Sequence, residues 1–199
     1  MSIKIVWLEP AKLARYWLRR YASSDGSCPH GYHDARTLLA EMAPATNVID
    51  DSHDHTDPRW PTVCEHCGYA FSEDDPWQLF QRSLWRDPSG ALLTLEDAPP
   101  GSCWDAEWMR RDRVEGFWVG PDGRCLCVKT PDGHEWCIDS RASNCTMPED
   151  NVHKCWVRTG RPEDGTLDVG KDGLTCAAGA GSIQTPGWHG FLRAGELVT

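Results

Sequence analysis

The stretch VCEHCGYAF, residues 63–71, sets Cys64 and Cys67 two residues apart and follows the second at once with Gly68. A tight turn of this kind can aim two thiolates at one tetrahedral ion, with glycine sparing the turn a side chain. A thioredoxin-like redox pair would instead need a strand end leading into a helix, and the flanking RWPTVCEHCGYAFSEDD has no such frame. Zinc is the first reading, with a disulfide or a pair of buried thiols as alternatives. A closed structural zinc site takes four protein ligands. SCPHGYHDA, residues 27–35, offers Cys28, His30 and His33. Cys28 and His33 are preferred, because Gly31 lets the chain fold back between them while Cys28 and His30 would make a cramped bite. The expected ligand set is Cys28, His33, Cys64 and Cys67. Loop-closure entropy grows only slowly with length, so a metal can organise the core-poor segment between the half-sites.

A second group lies in NCTMPEDNVHKCW, residues 144–156, with Cys176 and His189 downstream. Cys145, His153, Cys155 and Cys176 could close a second zinc site of the Cys₃His type; a disulfide and buried thiols are again the alternatives. Cys125, Cys127 and Cys137 read as hydrophobes on a sheet face, with a cross-strand pair among them left open, and Cys103 reads as isolated. DSHDHTDP, residues 51–58, carries His53, His55 and Asp57 in the order that begins the H-x-H-x-D pattern of metallo-β-lactamase-type hydrolases. Pro58 stands where that pattern continues with histidine. This cluster carries the enzymatic alternative, a metal-dependent hydrolase or nuclease, against a hydrated acidic loop or a contribution to the neighbouring zinc site. No G-x-S-x-G, Walker loop or zinc-deaminase signature occurs, so no catalytic residue is assigned.

The whole chain narrows the setting. Its 199 residues suit one domain or two small modules. The formal charge of -10 repels phosphate, so other proteins rather than nucleic acid are the expected partners. The first residues do not read as a secretory signal, and no apolar run reaches the length of a membrane span. A reducing cytosol is the expected compartment, where ten cysteines point to metal before disulfides.

The elements that must position these ligands are read as follows. IKIVWL (3–8) predicts a short strand, and Glu9-Pro10 then opens a helix with Ala14, Trp17, Leu18 and Tyr21 on one face and Arg15 and Arg19 off it. A short helix is expected at 35–43, and a helical piece at the end of 98–109. In GFWVGPDGRCLCVKTPDGHEWCIDS (116–140), two Pro-Asp-Gly triplets predict three-residue hairpin loops and a three-strand meander. Gly120 then faces Arg124 and Thr130 faces His134, with Phe117 and Cys137 on either side of Cys127. The expected fold class is α+β: mainly antiparallel β-sheet with a short N-terminal helix and a zinc-knuckle module. The expected division is an N-terminal helix-plus-knuckle module, 1–88, and a β-rich C-terminal module, 89–199.

Four stretches carry a resemblance: DAPPGSCWDAEWM (97–109), GPDGRCLCVKTPDGHEWCIDSRASNCTMP (120–148), HKCWVRTGRP (153–162) and GSIQTPGWHGFLRAGEL (181–197). Together they resemble a group of uncharacterised proteins encoded by tailed bacteriophages and prophages. The C-terminal part is similar to that group's small β-rich domain of unknown function, which closes on His-Gly-aromatic-Leu-Arg-x-Gly. His189 and Arg193 match that element. The resemblance implies a phage origin, a β-rich C-terminal module, and a place in the host cytoplasm or the virion. Taken with the closed ligand sets, it leads to the expectation of a zinc-stabilised, non-enzymatic structural or interaction protein that works by contact with other proteins, either as an accessory component among phage head or tail proteins or as an intracellular adaptor.

Overall fold

A computed structural model of the chain describes residues 2–43, 55–111, 119–150, 152–172, 175–177 and 181–199. The described residues are nearly all β, which corrects the expected α+β class; helix is confined to one turn, α1 (Trp108–Arg111). The strands are β1 (Ser2–Lys4), β2 (Val6–Trp7), β3 (Glu9–Ala22), β4 (Tyr32–Met42), β5 (Trp77–Arg86), β6 (Leu92–Leu93) and β7 (Ser102–Asp105). They continue with β8 (Leu126–Lys129), β9 (Glu135–Cys137), β10 (Val157–Thr159), β11 (Asp168–Gly170), β12 (Ile183–Gln184), β13 (His189–Arg193) and β14 (Glu196–Val198). The chain divides into two compact units, Pro10–Trp85 and a unit that joins Met1–Glu9 to Arg86–Thr199.

In the Pro10–Trp85 unit the predicted N-terminal helix is the long strand β3, which lies between β4 and β5. The apolar spacing at Ala14, Trp17, Leu18 and Tyr21 mimics a helix because burial along β3 does not alternate: Ala14 and Arg15, then Trp17, Leu18 and Arg19, are buried in succession, on both faces of the strand. The β3–β4 register also shifts between Arg15 and Tyr16, with the extra residue, Leu39, on β4. Arg19, expected in solvent, is 2% exposed. Its guanidinium lies 4.7 Å from the Phe71 ring centroid and 5.7 Å from that of Trp60, and donates to the carbonyls of Pro61, Ser72 and Asp75. The second predicted helix, 35–43, falls within β4. There His33 and Ala35 are buried while Arg36 and Leu38 are exposed. That partial alternation, and pairing with β3, outweigh the helix propensity of Ala and Leu.

In the other unit, β1-β14-β13-β12 form one antiparallel sheet, and β2-β7-β8-β9 a second in which β2 runs parallel to β7. Strands β10 and β11 pair as a ribbon. Ile5, Leu126, Val128, Ile138, Leu167, Val169, Ile183, Leu192 and Leu197 pack as one core. Both Pro-Asp-Gly loops take the expected form: Gly120 N donates to Arg124 O and Thr130 N to His134 O, each at 2.8 Å. Cys127 pairs with Cys137 across β8 and β9. β8 pairs with β9 on one edge and with β7 on the other; residues 116–118 of the expected outer strand, Phe117 among them, lie outside the described residues.

Two carboxylates in the turns of this unit couple its stability to acid. Burial pushes Asp122 up, but hydrogen bonds from Arg158 and Arg124 outweigh it and hold the carboxyl well below the usual range. For Asp132, burial is likewise outweighed, by the Thr130 and Thr185 hydroxyls and the Gly187 amide. Each folded value lies below the unfolded one, so their stabilisation is full above the ordinary value of about 3.9 and drains away as pH falls through and below it. Denaturant titrations should therefore show a steeper loss of stability below about pH 4 than the Asp122→Asn variant shows.

Candidate metal centres

The structure gathers the eight ligand candidates into two clusters that can hold metal ions: Cys28, His33, Cys64 and Cys67, and Cys145, His153, Cys155 and Cys176. Within each, the donor atoms all lie within 4.8 Å of one another. With metal–sulfur bonds near 2.3 Å and metal–nitrogen bonds near 2.0–2.1 Å, a zinc tetrahedron has S···N edges of about 3.6 Å. The spacing of both clusters is compatible with it. All ten cysteines carry thiols rather than disulfides.

The first cluster is assembled from three local devices. Cross-strand pairing of Tyr21 with His33 fixes His33 at the start of β4. The Tyr69 ring stacks on its imidazole at 4.2 Å between centroids. Cys28 comes from the turn that joins β3 to β4, closed by Gly31 N donating to Cys28 O at 2.9 Å. Cys64 and Cys67 sit on a knuckle closed by Cys64 N to Tyr69 O at 2.8 Å and Gly68 N to Cys64 O at 3.1 Å. Gly68 has a φ of 76°, with no atom near where a side chain would begin. Its value to the turn is therefore the left-handed backbone, not relief of crowding.

Cys67 Sγ lies 3.4 Å from His33 Nδ1. When Nδ1 faces the metal, the ring proton sits on Nε2, which is 3.2 Å from Ser27 Oγ. Ser27 is held in turn by Asp25, which accepts from its backbone N–H at 3.0 Å. Burial pushes the Cys64 thiol up, but the amides of Asp34, His66 and Cys67 turn toward its sulfur and bring it down to about 6. For Cys67 the Tyr69 amide acts downward, yet burial and the Cys64 and Cys28 thiols prevail and move it up. Ser27→Ala removes the orienting acceptor without touching a ligand. It should weaken metal affinity by about 10–100-fold in a competition titration against a chromogenic chelator.

The second cluster presents its histidine by the other nitrogen. His153 Nδ1 donates to Asp150 O at 2.7 Å, leaving Nε2 at 3.2 Å from Cys145 Sγ and 3.7 Å from Cys155 Sγ. Asp150 also accepts from the amides of Val152 and His153, at 2.8 Å and 3.1 Å. Arg141 spans the loop, donating to the carbonyls of Met147, Pro148 and Asp150. Cys176 arrives from beyond β11, where its amide bonds Lys154 O at 3.4 Å. Burial first, then the neighbouring Cys176 and Cys145 thiols, push Cys155 up to about 12, although the Ala142 amide acts the other way. A metal entering here must displace protons from thiols.

Other candidates do not converge. The His30 ring packs tilted against His66, 4.1 Å between centroids, rather than joining the cluster. His55 packs on the Trp60 ring at 4.5 Å, Asp57 pairs with Arg59 at 2.7 Å, and His53 lies outside the described residues. His189 occupies β13 and belongs to neither cluster. Sequence spacing missed Ser27, Tyr69, Asp150 and Arg141, which orient the candidate ligands. The turn composition of Ser23–Ser27 and of Pro148–Asp150 is the signal that could have found two of them, Ser27 and Asp150. Among the described residues no helix is long and apolar enough to cross a membrane. No family model, no curated protein and no solved structure matches the chain.

Proposed function

We propose that this is a non-enzymatic interaction protein whose two Cys₃His clusters each hold a structural zinc ion. One observation carries the reading. Cys28 is the only buried residue from Ser23 to Gly31, Cys64 the only one from Thr62 to Ala70, and none is buried from Ala142 to Glu149. Loops that bury so little cannot repay their ordering entropy by packing, whereas metal binding supplies free energy directly to folding. Each cluster also offers four protein donors, the full complement of a closed zinc site, where a catalytic zinc keeps one position for water.

Zinc K-edge absorption of the purified protein tests this. The expected spectrum has a mixed shell of sulfur near 2.3 Å and nitrogen near 2.0–2.1 Å. A bound water in the shell would overturn the structural assignment. The sequence resemblance alone supports a setting in tailed-phage particles, as a head or tail accessory protein. Mass spectrometry of purified virions that detects no trace of the chain would remove that version and leave an adaptor working inside the host cell.

A further inference from the structure

Three cysteines and one methionine outside both clusters meet on the β8–β9 face. Cys127 lies opposite Cys137 at a position between ladder hydrogen bonds, since Ile138 N donates to Leu126 O at 2.7 Å and the next such pair is Val128 with Trp136. Side chains at these non-hydrogen-bonded positions approach most closely. The Cys137 thiol nevertheless leans toward Cys125, with Sγ atoms 3.4 Å apart, and Cys127 interacts with both. On the far side Met109 brings its Sδ to 4.0 Å from Cys125 Sγ. The backbone fixes that approach: Ala106 N donates to Cys125 O at 2.7 Å, and Met109 N to Ala106 O at 2.9 Å.

We propose that Cys125, Cys137 and Met109 form a third metal site, with Cys127 beside it, that takes a soft monovalent ion of the Cu(I) class. The donors are all sulfur. A thioether binds soft ions such as Cu(I) and contributes little to a harder divalent ion, so this set selects against the zinc that suits Cys₃His. The 3.4 Å separation is well beyond the 2.03–2.05 Å of a disulfide, so the sulfurs remain available as ligands. Cys125 is fully buried and Cys137 partly exposed, which gives the ion one side of entry and a dry interior. On binding, the Cys125 and Cys137 thiols lose their protons to solvent and each forms a bond to the metal, which enters and stays as Cu(I). The resulting complex carries one negative charge.

The test is an anaerobic titration of the full chain with Cu(I) buffered by bicinchoninate, with a zinc-sensitive dye present. Met109→Leu keeps the volume of the side chain and removes its sulfur, and Cys137→Ser alters the partly exposed thiol. The expected result is uptake of Cu(I) without zinc release, weakened at least about tenfold in Met109→Leu and lost in Cys137→Ser. Copper uptake that proceeds only as zinc leaves, or equal uptake by wild type and Met109→Leu, would overturn the site. The Met109→Leu comparison reads the same whatever occupies the two Cys₃His clusters, and it stands alone if Cys137→Ser does not fold.

Discussion

Replacing Cys64 with serine is expected to open the Ser23–Gly31 and Thr62–Ala70 loops to protease while the β7-β8-β9 sheet keeps its resistance. Cys64 Sγ is one of four donors, and it also accepts the Asp34 amide at 3.3 Å, so its loss unmakes a ligand and the contact that ties the knuckle to β4. Structural zinc is worth about 10–16 kcal/mol in apparent binding free energy in small zinc domains, far more than the half-exposed residues of these loops can replace. Affinity should fall further than the 10–100-fold expected for loss of an outer partner such as Ser27. A strong chelator acting on the wild type should give the same cleavage pattern. Equal resistance in the wild type, the variant and the chelated protein would mean that packing holds these loops.

The second large effect belongs to a charge pair that the sequence did not announce. Arg158 Nε lies 2.8 Å from Asp139 Oδ1 and 3.1 Å from Oδ2, and the two side chains are 3% and 6% exposed. Asp139 also accepts the Leu126 amide at 2.8 Å, in the middle of the core sheet. A side chain at Gly120 would overlap both Arg158 and Asp139, which explains a glycine at a turn position of ordinary φ. Asp139→Ala leaves a buried guanidinium and a core amide short of their acceptor, and should cost about 3–5 kcal/mol. Urea denaturation followed by tryptophan fluorescence reads it. A cost under about 1 kcal/mol would place the pair with ordinary surface salt bridges.

The two candidate clusters were legible because metal chemistry imposes local spacing. Cys64-x-x-Cys67 and the Cys28/His33 pair can be read without knowing what surrounds them, and Gly68 and Gly31 mark the turns that serve them. The orienting partners were harder to find: Tyr69 and Arg141 do nothing in sequence that distinguishes them from other loop residues. Strand β3 was misread because burial on both of its faces imitates helical spacing, and Arg19 because a buried guanidinium needs a cage that only the folded chain supplies. Strand β7 was missed for another reason: Ser102, Cys103 and Trp104 are buried in succession, so the alternation that announces a half-exposed strand is absent. The Pro-Asp-Gly loops were legible to the residue, because their turn chemistry is local and nothing distant competes with it.

The most direct measurement is the metal content of the purified, unchelated chain, by elemental analysis together with native mass spectrometry. Two closed Cys₃His sites predict two zinc ions per chain, falling to one in Cys64→Ser and to one in Cys155→Ser. Protein that retains no metal and shows disulfides among these cysteines by mass would contradict the account.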